Sequence, residues 1–372
     1  MEYHVPGARK QAGAESAPTR GGRGRRPRQA EVAAAAGVSQ ATVSLVLAGK
    51  QSGPPISEGT RNRVLEAARQ LGYVHDPVAR KLASARNNLL GVYSFTATFP
   101  MEMEHSYYRF LVGVEQEAAR LGYDLVLFTA SSSANARAAG DIGLSRMRLS
   151  DGCLLVGRHV PEEELRRYVA DGFPIVHLGR LEESSGIPWV GADYVSASRE
   201  VVDHLVQLGH SRIAYVREDD DAVASTDRQT GAMQALEAAG LRYGDAVLHR
   251  SATPAALFTP EWIRARVAEG VTAFVCEESD TGTAWRSLFN AARQAGIRCP
   301  DDVSLTLLGV PPADMAGEVT PTGFEVPRAE LGAAAVRRLV ALVEDRQADD
   351  EPLVPCPFRP GRTAGPASEA GQ

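Results

Sequence analysis

Between residues 39 and 45, Ser39, Gln40, Ala41, Thr42, Ser44 and Leu45 bring together hydroxyl, amide and small apolar side chains without a charge among them. Such groups suit the edges of base pairs. Glutamine can bond adenine bidentately, an alanine methyl can meet the thymine methyl, and a Thr or Ser hydroxyl can reach a base edge or a phosphate. A helix face turned only to water usually carries charged pairs, and this one has none.

A face of that kind needs a short rigid frame, which the flanking residues predict. Pro27 suits a first helical turn and Glu31 the positive end of a helix, so a helix is predicted from about Pro27. Gly37 ends it with a positive backbone torsion, and Ser39 caps the next helix. Val43, Val46 and Leu47 share one face of that second helix and can pack on Val32, Ala33, Ala36 and Val38. The run AAAAGVSQATVS therefore reads as a helix-turn-helix, with an ordinary alanine-rich hairpin as the alternative. A third helix is predicted over 57–71, with Val64, Leu65, Ala68 and Leu71 on one face. Asp76 as a cap and Pro77 at a first turn then predict a short helix over 78–84 that is marginal on its own.

Charge divides the chain in the same place. Residues 1–90 hold 14 Lys and Arg against 6 Asp and Glu, whereas the remainder holds 26 against 40. The basic end suits a polyanion and the acidic end does not. Residues 1–26 lack hydrophobic periodicity and read as a disordered leader. Its Arg20, Arg23, Arg25 and Arg26, with Arg28 just beyond, are either phosphate contacts or a solvated tail. No apolar run is long enough to span a bilayer and no secretory signal is evident, so a cytoplasmic, nucleoid-associated protein with no membrane partner is expected. Cys153, Cys276, Cys299 and Cys356 are far apart, with no CxxC and no histidines at zinc spacing. Reduced structural thiols, with no metal and no cofactor, are the expectation.

Beyond residue 88, short apolar runs at 90–95, 124–129, 152–156, 175–178, 213–216, 273–276 and 304–308 alternate with amphipathic segments. They predict parallel strands covered by helices, an α/β class. Catalytic signatures are missing: there is no GxSxG, no GxxxxGK[ST], no HExxH, and no GxGxxG after a strand. The histidines are scattered, and His210 reads as a packing residue. An enzyme is not expected.

The segments AEVAAAAGVSQATVSLVLAG, ISEGTRNRVLEAARQLGY and DPVARKLASARNN resemble the headpiece and hinge of the lactose-repressor (LacI) family of bacterial transcription regulators. FLVGVEQEAARLGYDLVL, HLVQLGHSRIAYV, DRQTGAMQALEAAGL and ELGAAAVRRLV extend the likeness to about residue 364. The resemblance implies a helix-turn-helix headpiece at 27–74, a hinge helix and linker at 75–88, and a two-lobed, periplasmic-binding-protein-like core at 89–364 for effector binding and dimerisation. Residues 365–372 are expected to be a disordered tail. It further implies a homodimer on a pseudo-palindromic double-stranded operator, controlled by a small-molecule effector. Leu82 would be a minor-groove wedge with Ala79 beside it, and Thr60 would contact a phosphate. Arg228 matches the family arginine that reaches a ligand oxygen. Asp193 lies near the cleft or caps a helix, and Tyr107 and Tyr108 line the cleft or simply pack.

The departures from the family are equally specific. Gly179, followed by Arg180, stands where an Asp is common. Glu278 and Ser279, with Asp280 next, replace an Asn-Asp pair, and acids are missing at Gly309 and Val310. These losses argue against a simple sugar, and Glu277, Glu278 and Asp280 either substitute for them or form a solvated loop. Leu45 stands where Arg is frequent, so the operator half-site is expected to differ. Two competing readings remain: a regulator of the same fold gated by another signal or partner, and a solute-binding protein, which would need export.

Overall fold

The computed structural model describes residues 27–47, 56–73, 86–95, 107–128, 144–158, 160–241, 247–315, 317–348 and 351–368. The chain divides into two compact units, Met1–Asn87 and Asn88–Gln372. No single helix among the described residues is long and apolar enough to cross a membrane.

In the first unit, α1 (Gln29–Ala36), α2 (Gln40–Leu47) and α3 (Glu58–Gln70) close on a small core of Val32, Ala33, Ala36, Val43, Val46, Val64, Ala67 and Ala68. Gly37 ends α1 with φ +65°, as its type predicts. Two expectations are corrected. Pro27 precedes the helix, because Arg28 is the N-cap. On α3, Leu65 and Leu71 are 47% and 39% exposed, and Ala67 is buried instead. A 3.6-residue period carries Val64, Ala67 and Ala68 inward together and turns Leu65 about 100° away. Leu71 falls at the C-cap, on the rim of the core. The leader, the 49–55 turn and the hinge segment with Ala79 and Leu82 lie outside the described residues.

The second unit is built on two six-stranded sheets. The first joins β1 (Leu89–Ser94), β2 (Asp124–Phe128), β3 (Gly152–Val156), β4 (Ile175–Leu178), β5 (Trp189–Ala192) and β11 (Leu353–Val354), in the order β11-β5-β4-β3-β1-β2, all parallel. The second joins β6 (Ile213–Glu218), β7 (Leu248–Ser251), β8 (Ala273–Glu277), β9 (Ser304–Leu308), β10 (Thr322–Phe324) and β12 (Phe358–Arg359), in the order β12-β10-β9-β8-β6-β7, with β12 alone antiparallel. All seven strands expected from apolar runs form. The other five were missed because they are two to four residues long or as polar as LHRS in β7.

Helices α4 (Tyr107–Arg120), α5 (Glu162–Ala170), α6 (Tyr194–Gln207), α7 (Val223–Ala238), α8 (Pro254–Leu257), α9 (Pro260–Ala268), α10 (Thr283–Ala295) and α11 (Arg328–Val343) cover the sheets. α4 and α11 pack on each other over the first sheet, and α6 and α7 on each other beside the second. The chain passes between lobes after β5, after β10 and after β11, so each lobe is assembled from separate stretches of sequence. One apolar cluster runs from Leu90, Val92 and Leu154 of the first lobe to Ile213, Tyr215 and Val275 of the second.

Residues 365–368, expected to be part of a disordered tail, are placed. Gly365 N–H donates to Ser304 Oγ at 3.0 Å, and Ala367 N–H to Leu208 O at 2.9 Å. His210 holds the same segment through Nε2 to Gly365 O at 3.0 Å and also contacts Thr272 and Ser304, as its packing role predicts. All four cysteines are free thiols. Burial pushes the Cys299 and Cys356 thiols up to about 11 and about 12, which keeps them protonated and unreactive.

Candidate nucleic-acid interface and effector cleft

Ser39 Oγ accepts the Thr42 N–H at 3.1 Å and pairs with Thr42 Oγ1 at 2.9 Å, which fixes the first turn of α2. Gln40 and Ala41 are exposed, and Thr42, Ser44 and Leu45 are half-buried beside them. The second helix therefore offers an uncharged ridge whose rear is anchored by Val43 and Val46. Arg28 is exposed at the start of α1, and Thr60 sits in the first turn of α3, where Ser57 caps its N–H at 3.3 Å.

Between the lobes of the second unit, arginines and carboxylates meet. Arg180, just past β4, donates from Nε and Nη2 to both carboxylate oxygens of Asp227 on α7, at 2.7 and 2.6 Å. Arg158, just past β3, donates to Asp220 and to Ser225 Oγ at 3.2 Å, with Asp280 Oδ1 at 3.5 Å. Arg328, the first residue of α11, donates to Glu278. Glu278 also faces Arg228 at 3.4 Å. Arg228 is buried, with Nε on Leu308 O at 3.0 Å, and its guanidinium lies 3.7 Å from the ring centroid of Tyr194. Arg158 and Arg180 leave the carboxyl ends of parallel strands, as Asp220 and Asp280 do in the loops past β6 and β8, which is where open α/β sheets place ligands.

His177 sets the geometry of the arginine loops. Its Nδ1 lies 2.7 Å from Gly179 O and its Nε2 3.0 Å from Gly157 O, so one buried imidazole ties down the residues preceding both Arg180 and Arg158. Burial lowers its pKa, against the pull of the two carbonyls. Glu277, next to the cluster, accepts from Tyr215 Oη at 3.2 Å, and burial raises its carboxyl despite nearby Arg228 and Arg217.

Of the expected effector residues, Arg180, Arg228, Glu278 and Asp280 meet in this cluster. Asp193 caps α6 through Oδ1 to Ser196 N–H at 3.0 Å, the structural one of its two readings. Tyr107 is half-buried in the core with its ring 6.3 Å from Phe110, and Tyr108 is exposed. Sequence reasoning missed Arg158, Asp220, Asp227 and Arg328. Arg158 and Asp220 were recoverable from their places just past strand ends. The glycine at 309 has a spatial reason, since a Cβ there would stand 2.2 Å from Glu278 Oε2. Glu278 occupies the space that a side chain at 309 would need.

Residues 30–76 match the family model for bacterial regulatory proteins of the lacI family, and residues 202–363 match that for a periplasmic binding protein-like domain. The chain belongs to the LacI family. It is a LacI-family transcriptional regulator, with a DNA-binding headpiece and an effector-binding core. It is 31% identical over 231 residues to the HTH-type transcriptional regulator CelR of Thermobifida fusca, covering 61% of this chain and 66% of that one. It is 26% identical to catabolite control protein A of Priestia megaterium, covering 88% and 96% of the two chains. Its fold matches that of a lac repressor dimer bound to operator and the anti-inducer ONPF, with a TM-score of 0.71 at 20% identity over 92% of this chain and 100% of that one. The relatives of this LacI-family chain are transcriptional regulators; the α2 ridge lies within the 30–76 match, and Asp220, Asp227, Arg228, Glu278, Asp280 and Arg328 of the cluster lie within the 202–363 match, which Arg158 and Arg180 precede.

Proposed function

We propose that this chain is a homodimeric repressor without enzymatic activity, whose affinity for a pseudo-palindromic operator is set by a small molecule bound between the lobes of its core. The observation that carries the reading is the uncharged α2 ridge, with Gln40 and Ala41 exposed and Ser39 capping the helix behind them. Gln40, Ala41, Thr42, Ser44 and Leu45 read base edges, while Arg28, Ser39 and Thr60 fix the register on phosphates. Two half-sites about 34–36 Å apart, or a multiple of that, fit a two-fold dimer. Leu82, with Ala79 beside it, serves as the minor-groove wedge. A relative solved as a dimer on its operator supports this assembly, and another solved as a cellobiose complex supports small-molecule control.

Effector binding alters the spacing of the lobes and hence operator affinity, a coupling of about 1–3 kcal/mol. Fluorescence anisotropy with a duplex from the protein's own promoter region, against a scrambled duplex at equal salt, tests the reading. A preference for the promoter duplex that responds to a small molecule supports it. Equal, purely salt-controlled binding to both duplexes overturns it. The changed acid positions at Gly179 and Val310 favour one variant of the reading, in which the controlling ligand is not a neutral sugar.

A further inference from the structure

Three features of the cleft point to the chemistry of its ligand. First, the lobes contribute unlike charge. The first lobe supplies Arg158, Arg180 and Arg328, with Glu182 3.8 Å from Arg180 and Glu183 close enough to act on it. The second lobe answers with Asp220, Asp227, Glu278 and Asp280, alongside Arg228. Second, the fully buried cleft atoms without a partner are donors. Arg158 Nε and Arg328 Nε are buried without an acceptor among the described residues, and no carboxylate oxygen is left in that condition. Arg328 is only 8% exposed. Leaving a buried donor unpaired costs about 1–3 kcal/mol, so these atoms favour an occupant that brings acceptors. Third, Gly179 just past β4 and Val310 just past β9 bring no acceptor side chain to these strand ends.

We infer that the effector is an acidic sugar: a polyhydroxylated molecule bearing a carboxylate or phosphate. This inference rests on the cleft being the effector site. The anionic group takes the guanidinium forks of Arg158 and Arg180, which match planar or tetrahedral oxyanions bidentately. Its hydroxyls donate to Glu278 and Asp280. Asp227 and Asp220 hold these forks in this structure, so the second lobe acts as a surrogate ligand for the first. Binding exchanges one set of carboxylate contacts for another and need not create a site from water-filled space.

The test is isothermal titration of the full-length protein with gluconate, glucose 6-phosphate, glucose, cellobiose and inorganic phosphate, repeated on Arg158→Gln, Arg180→Gln and the charge-preserving Arg158→Lys, with circular dichroism verifying that each variant folds. At least one of the two acidic sugars is expected to bind, with glucose and cellobiose weaker by roughly tenfold or more. Arg158→Gln and Arg180→Gln should lose a similar factor, and Arg158→Lys less. Binding by neither acidic sugar overturns the inference, as does a neutral sugar that binds as tightly and is indifferent to Arg158→Gln. Inorganic phosphate binding as tightly as glucose 6-phosphate removes the polyol from the assignment. An acidic sugar that binds through Arg158 without changing operator affinity leaves the ligand class standing and sinks the effector role instead.

Discussion

Arg180 and Asp227 form a two-point guanidinium–carboxylate pair between the lobes, at 2.7 and 2.6 Å, with side chains only 24% and 8% exposed. The pair needs both charges and the planar fork, because a lysine there would supply one of the two bonds at best. Arg180→Gln and Asp227→Asn should each destabilise the core, and the double variant should lose less than the sum. Denaturant melts of the four proteins should give a coupling energy of about 0.5–3 kcal/mol. Strict additivity would show that the pair contributes nothing.

Base reading by α2 is testable one position at a time. Leu45 is half-buried on the ridge and cannot donate the two hydrogen bonds that select guanine. Leu45→Arg should shift preference at one base pair of each half-site by about 1–3 kcal/mol, and Gln40→Ala should relax preference at another by a similar amount. Binding-site selection on the variant proteins gives the answer. An unchanged consensus after both substitutions would remove α2 from base contact.

Close approach of α4 and α11 depends on missing side chains. A Cβ on Gly113 would stand 1.8 Å from Ala329 O, and one on Gly332 2.2 Å from Phe110 O. Either glycine changed to alanine must push the helices apart, at a cost of about 1–3 kcal/mol or more. Gly59 in α3 has open space around it, so Gly59→Ala should have the opposite sign and stabilise slightly. Thermal melts compare the three, and equal effects would refute the packing argument.

Acid should loosen the core through two histidines. Burial lowers the pKa of both His177 and His210 from the usual 6.5. Between that value and the depressed folded one, the unfolded chain binds more protons than the folded chain, so stability falls as pH drops below about 6.5. The melting temperature should decline from pH 7 toward pH 5.5, and a His177→Gln/His210→Gln variant should show a shallower decline over that range. A wild-type melting temperature that holds or rises on acidification contradicts this.

Much of the headpiece was legible because its determinants are local. Gly37 ends a helix by its own torsional freedom, and Ser39 caps the next through an oxygen three residues from its partner. Where periodicity was read too broadly, as with Leu65, the helical angle decided against it. Seven strands of four to six residues were legible from apolar runs, while β5, β7, β10, β11 and β12 are two to four residues long and, for β7, too polar to announce themselves.

The sequence by itself determined the class of each half: an uncharged helix face on a basic end, and alternating strands and helices on an acidic one. Only the tertiary structure decided which charges meet. Arg158 and Asp220 are 62 residues apart, Arg180 and Asp227 47, and Glu278 and Arg328 50. Nothing in local spacing can pair them, because their proximity follows from a chain that crosses between lobes and brings strand ends from separate stretches of sequence to one cleft.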